Sequence, residues 1–204
     1  MFDVDRAATA LVLMDFQNYG LHPDGYWAKR DPDLIARLDR GRVVANAARA
    51  LEGARTAGVR VVHVVNRWRP GHIDMDDRMP LWAGRKGTDV AIEGTWNAEI
   101  IDELAPTPEE PVVAKRGVSA LAGTELGRLL TLYGVRTVVL CGVATNFVVE
   151  GTAREAADLG YRVAVLSDAS ESINDEWQRF SLEVLALVGA VVSVDEFVRA
   201  LGLQ

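Results

Sequence analysis

Six short apolar runs punctuate the chain: TALVLMD (9–15), VRVVHVVN (59–66), PVVAK (111–115), RTVVLCG (136–142), RVAVLSD (162–168) and AVVSVDE (190–196). Their interiors are apolar almost throughout instead of alternating, the mark of strands covered on both faces of a parallel sheet. Between them the period changes to that of a helix. Segment 41–57 sets Val44, Ala47, Ala48 and Leu51 on one stripe, and segment 124–133 does so with Leu126, Leu129, Leu130 and Tyr133. Segment 146–159 aligns Val149, Thr152, Ala153 and Ala156, and segment 174–188 aligns Trp177, Phe180, Ser181 and Val184. Each stripe follows i, i+3, i+4, i+7 spacing and is followed by a glycine (58, 134, 160 or 189) suited to a left-handed helix stop. Alternation of strand and helix predicts an α/β fold with helices on both faces of the sheet.

Residues 66–110 break the pattern, with little periodicity and many aromatic, proline, glycine and charged positions. A long irregular excursion from a compact α/β domain usually carries function. Ligands of open parallel sheets bind beyond the carboxyl ends of the strands. Asp15, Asn66, Lys115 and Gly142 all lie at such ends and are expected on one rim, from which the excursion departs.

Composition narrows the partners. The 204 residues fit one domain, 1–204, with 49% hydrophobic and 25% charged residues. A net charge of −7, with scattered arginines, excludes nucleic acid and anionic membranes as expected partners. The first residues lack a basic leader, no apolar run approaches membrane length, and the single cysteine, Cys141, rules out an internal disulfide. A cytoplasmic location and a small-molecule substrate follow as expectations.

Asp15 closes an apolar strand, and a carboxylate at such a mouth is partly desolvated, which raises its pKa and suits it to proton transfer. Lys115 closes another strand in the same way, where it can orient that carboxylate. Each alone also reads as a structural residue; the pair at matched strand ends is more specific. In GVATNFVVEGTAR, Thr145 or Asn146 is placed to cap a helix, and Glu150 to pair with Arg154. First-turn N–H groups there would face an anion or a developing oxyanion.

The order LMDFQN, VVHVVN, VVAKRGVSALAGTEL, CGVATNFVVEGTAREAADLGYRVAVLSDA resembles the isochorismatase-like hydrolase superfamily from about residue 8 to 196. The resemblance implies a three-layer αβα, Rossmann-like fold with a six-stranded parallel sheet, assembled as a homodimer or higher homo-oligomer. It implies a catalytic aspartate, lysine and cysteine; the first two fall on Asp15 and Lys115, and the third on Val148. It further implies a cis peptide between Val143 and Ala144. Cys141 lies inside its strand and reads as a core residue.

Valine has no lone pair, so covalent catalysis at 148 is excluded, which weighs against nicotinamidase, carbamoylsarcosine amidase and ureido-type amidase chemistry. The histidine spacing of a nicotinamidase metal site is missing; His63 reads as core or interface, and no metal or cofactor is expected. Isochorismatase-type members lack the thiol and cleave a vinyl ether by protonation and water attack. By that resemblance Asp15 is the general acid tuned by Lys115. Phe16, Gln17, Asn66, Trp82, Ala144 and Thr145 surround the substrate, and Arg78 holds a carboxylate, with Arg85 and Lys86 as alternatives and Trp96 as a further wall. Two other readings stay open: a silent homologue that binds a small ligand, and a cysteine amidase whose nucleophile has been replaced by Val148.

Overall fold

A computed structural model describes residues 3–40 and 42–203, and in it the six apolar runs join one sheet. The strands are β1 (Thr9–Met14), β2 (Arg60–Asn66), β3 (Val112–Lys115), β4 (Thr137–Val143), β5 (Arg162–Glu171) and β6 (Ala190–Val192). All pairs are parallel, in the order β3-β2-β1-β4-β5-β6. From β1 the chain winds outward to β3, then returns to β4 on the other side of β1. This reversal opens a crevice at the carboxyl ends of β1 and β4, where such sheets bind ligands.

The helices are α1 (Asn18–Leu21), α2 (Pro32–Arg40), α3 (Val43–Thr56), α4 (Pro80–Ala83), α5 (Leu126–Leu132), α6 (Glu150–Asp158), α7 (Asp175–Leu185) and α8 (Val194–Ala200). Strand β1 is buried at every position, and its alternation divides two cores. Leu11 and Leu13 join the core that holds residues of α2, α3 and α8. Ala10, Val12 and Met14 join the one that holds residues of α5, α6 and α7. Cys141 is fully buried in the first core, and burial pushes its thiol pKa up.

Gly41, where the first helical segment is expected to start, lies outside the described residues. Three details depart from the sequence pattern. The run 190–196 is a strand only to Val192: Ser193 caps α8 through the Glu196 N–H, and the Glu196 carboxylate accepts from the Ser193 N–H at 2.7 Å. That capping box turns the chain into a helix one residue after the strand ends. On α7 the expected inward stripe is rotated. Trp177 and Phe180 are 42% and 60% exposed, while Ser181 and Leu185 face inward.

The third concerns the glycines. Gly58, Gly134 and Gly160 take the expected left-handed conformation, with φ of 69°, 66° and 89°. Gly189 is there for space: a Cβ on it would lie 2.3 Å from the Val163 carbonyl oxygen. Backbone cannot yield as a side-chain tip can. Gly189→Ala is therefore expected to cost about 1–3 kcal/mol. Thermal denaturation would register it as a Tm loss of roughly 2–4 °C per kcal/mol for a chain of this size. An unchanged Tm would refute the steric account.

The irregular excursion has its own small core. Trp68, buried completely, packs edge-on against Trp82 (ring centroids 5.0 Å) and His72, within a cluster that includes Tyr19, Tyr26 and Met75. Among the described residues no helix is long and apolar enough to cross a membrane.

Candidate active site

Parallel register brings the strand ends together. Asn66 of β2 is the direct partner of Lys115 of β3, and the Asp15 N–H donates to the Val64 carbonyl at 2.9 Å. Asp15 itself is left-handed (φ 62°), a conformation that aspartate tolerates better than most residues. The kink ends β1 and leaves the Asp15 side chain in the crevice wall. Its Oδ2 lies 3.0 Å from Lys115 Nζ, with both side chains almost fully buried. Lys115 Nζ also donates to Asn66 Oδ1 (2.9 Å) and to the Gly117 carbonyl (3.1 Å). Three acceptors use all three ammonium protons. Asp15 Oδ1, by contrast, is buried and has no hydrogen-bond partner.

Burial dominates the electrostatics of this pair. It raises the Asp15 pKa despite the opposing charge and hydrogen bond of Lys115 and the charge of Arg85. It lowers that of Lys115, again against the Asp15 attraction and with help from Arg85. The carboxyl therefore holds its proton to higher pH than an exposed aspartate does.

These groups open on a cavity of about 280 Å³. Asp15, Asn66 and Lys115 form one side. Val143, Ala144 and Val148 supply the opposite strand end and turn, and Tyr19, Trp27, Trp82, Phe147 and Trp177 are its aromatic lining. Asp31 also lines it, its Oδ1 accepting from the Leu34 N–H at the start of α2. The Val143–Ala144 peptide is cis, and Thr145–Val149 forms a single π-helical turn before α6.

Of the expected site residues, Asp15, Asn66, Trp82, Lys115, Ala144 and Val148 meet at this cavity; four others do not. Phe16 packs in the core beneath α2 and α3. Gln17 spends its amide on backbone: Nε2 donates to the Asn66 and Ala98 carbonyls (2.8 Å each), and Oε1 accepts from the Asn66 N–H at 2.7 Å. It holds Asn66 in place and has no group left for a substrate. Arg78 is 88% exposed and chelates Asp76. Thr145 is fully buried without lining the cavity.

Neither Thr145 nor Asn146 caps a helix through its side chain. The Asn146 and Phe147 N–H groups go to Ser172 Oγ and the Ala144 carbonyl, so they are not free for an oxyanion. The Glu150–Arg154 pair forms at 2.8 Å. Trp96 lies outside, edge-on to His22, and Lys86 pairs with Asp77. His63 is buried against Glu110 (3.1 Å), with burial lowering its pKa. Among the described residues no cluster of three His, Cys, Asp or Glu side chains could hold a metal ion.

Arg85 takes the place expected of Arg78. It lines the cavity with its guanidinium 4.7 Å from the Trp82 ring and 5.1 Å from that of Trp27. Such stacking holds the cation by its face and leaves its N–H edge available. Among the described residues no carboxylate lies within ion-pair distance of it. Tyr19, Trp27, Leu34, Phe147, Ile173 and Trp177 also line the cavity and were not anticipated. For Ile173 and Trp177 a signal existed, since they follow the carboxyl end of β5 on the same rim.

The chain is similar in sequence and fold to known proteins. Ureidoacrylate amidohydrolase RutB of Pantoea ananatis is 32% identical over 95% of this chain and 82% of its own length. A cysteine hydrolase from Pseudomonas syringae pv. phaseolicola superposes with a TM-score of 0.85 over 99% of this chain and 96% of its own; at 24% identity it speaks for the fold alone. An N-carbamoylsarcosine amidase from Thermoplasma acidophilum is 28% identical, with a TM-score of 0.72 over 92% of this chain and 96% of its own. The family model of the Isochorismatase domain matches residues 9–196. With a six-stranded parallel αβα sheet and a match of that length, the chain belongs to the isochorismatase-like hydrolase family.

Proposed function

We propose that this hydrolase acts on a small carboxylate by acid–base catalysis without a covalent intermediate, and that its reaction is the cleavage of an enol ether. The observation that carries the reading is Asp15, a cavity-lining acid with one buried, unpartnered carboxyl oxygen, in a cavity whose residue 148 is a hydrocarbon. A buried acid with a raised pKa can give a proton to carbon. Lys115, held by Asp15 Oδ2, Asn66 and Gly117, fixes which oxygen carries that proton.

A 2-aryloxyacrylate illustrates the sequence of steps. The Asp15 proton goes to the terminal CH₂ carbon; the alkene electron pair forms the new C–H bond, and the ether oxygen shares the resulting positive charge. Water adds to C2 and returns a proton to the Asp15 carboxylate. The hemiketal then breaks its C–O bond to release a phenol and pyruvate. No atom of residue 148 takes part, so valine is tolerated there.

Arg85 supplies the charge for the substrate carboxylate. A ureidoacrylate, the substrate in the name of the relatives, is also a small carboxylate. Pyruvate release from 2-phenoxyacrylate, measured with the intact protein, tests the reading; absence of release would end it. Arg85→Met should raise KM about 10–100-fold, the loss of one charge-assisted bond, with kcat nearly unchanged. An unaltered KM would mean that the carboxylate binds elsewhere.

The silent-homologue reading is favoured by one observation, the missing lone pair at Val148. Tight binding of such acids without turnover would select it. The proposal includes a cytoplasmic homo-oligomer, for which the exposed Trp177, Phe180 and Leu187 offer apolar surface.

A further inference from the structure

The hydrogen-bond chain at the rim has a fixed direction. Lys115 can only donate, so the Asn66 atom that it contacts at 2.9 Å must be the amide oxygen. The other end of that amide, Nδ2, therefore donates, and it does so to the Tyr19 hydroxyl oxygen at 2.9 Å. With that lone pair taken, the Tyr19 O–H must send its own proton elsewhere. Among the described residues no acceptor takes it, and the tyrosine, 5% exposed, lines the cavity. Among the described residues, those lining the cavity thus include an acid with an unpartnered oxygen, Asp15, a hydroxyl donor without an acceptor, Tyr19, and a cation without an ion-pair partner, Arg85.

We infer that Tyr19 is a specificity-determining hydrogen-bond donor, which selects carboxylates carrying an oxygen acceptor on the carbon next to the carboxyl group. The inference rests on the proposed function and narrows its substrate class to 2-oxy acids. Burial and the Asp15 charge both push the phenol pKa up, so the hydroxyl remains a donor across the working pH range. Asp15, Tyr19 and Arg85 line the same cavity of about 280 Å³, so acid, donor and cation can face a single small ligand. In an enol ether of pyruvate the acceptor is the ether oxygen, and the same bond supports that oxygen as the hemiketal comes apart. A ligand lacking the acceptor strands a buried O–H, the situation in which binding sites discriminate most strongly.

Pyruvate and methacrylate test this without requiring turnover, since they differ by C=O against C=CH₂ at nearly equal shape. By calorimetry or ligand-observed NMR, the wild-type protein should bind pyruvate about tenfold or more tightly than methacrylate. Tyr19→Phe should bring the two within about twofold by weakening pyruvate alone. Because that change also strands the Asn66 amide, 3-fluorotyrosine placed at position 19 serves as a second variant. A more acidic phenol of nearly the same shape should widen the preference, which a purely structural role would not do. Equal affinities in the wild type, a preference that survives Tyr19→Phe, or failure of both acids to bind at about 10 mM would overturn the inference. Selective pyruvate binding without any turnover of 2-phenoxyacrylate would remove the proposed reaction and leave the donor standing.

Discussion

Asp15→Asn lowers kcat/KM for 2-phenoxyacrylate by about 10²–10⁴-fold, the usual worth of a positioned general acid. The amide keeps the shape of the carboxyl and can still accept from Lys115, but it has no proton to give to carbon. The wild-type pH profile carries the same claim. Catalysis needs Asp15 protonated, so the rate should be highest at low pH and fall as pH rises through the pKa of that group. Burial raises this pKa, which puts the fall above the ordinary carboxylate value of about 3.9. The ammonium of Lys115 and the Arg85 charge pull the other way. Arg85→Met should accordingly move the inflection upward, because a positive charge that favoured the ionised carboxylate is gone. Measuring pyruvate release between pH 4 and 9 (a range chosen to span the ordinary and raised values) checks both statements. Undiminished turnover in Asp15→Asn, or a rate that climbs with pH, would remove the acid from the mechanism.

Much of this architecture is legible in the sequence because it depends on local alternation. The apolar runs at 9–15, 59–66 and 136–142 need both faces covered, and only a central parallel strand meets that demand. Once the strands are set, the register that pairs Asn66 with Lys115 brings their side chains and Asp15 together. The errors have local causes too. The strand at 190–196 overran because valines hid the Ser193–Glu196 capping box, a signal that was present. Arg78 reads as the carboxylate anchor by resemblance, but Asp76 stands two residues away and neutralises it.

Other features were out of reach. Gln17 lies next to the acid in sequence, but its amide is spent on backbone carbonyls at 66 and 98, contacts that no local pattern announces. Tyr19 and Trp27 reach the cavity because the chain after β1 folds back over the crevice, a matter of long-range packing. Arg85 acquires its meaning only when Trp27 and Trp82, fifty-five residues apart in sequence, close on it from two sides.

Val148→Cys creates an amidase from the same cavity. Residue 148 lies in the turn that leads into α6 and lines the cavity with Asp15 and Lys115. A thiol there is close to the positive end of that helix and shares the cavity with Lys115 and Arg85, conditions that favour the thiolate. The Asp15 carboxylate is available to take the thiol proton. The exchange removes about one methyl group from a packed wall, a cost of about 0.5–1.5 kcal/mol that the fold should bear. Ammonia release from ureidoacrylate should then rise on the order of 10²-fold above the wild-type background. Iodoacetamide should abolish the gain while sparing wild-type turnover of 2-phenoxyacrylate, because the one native thiol, Cys141, is fully buried with its pKa raised. Adding Asp15→Asn to Val148→Cys should return amide cleavage to background, since thiolate formation and leaving-group protonation both use that carboxyl. A folded Val148→Cys protein whose new thiol reacts with iodoacetamide but cleaves no ureidoacrylate would show that sulfur is not all the cavity lacks, and that its shape has diverged along with its nucleophile.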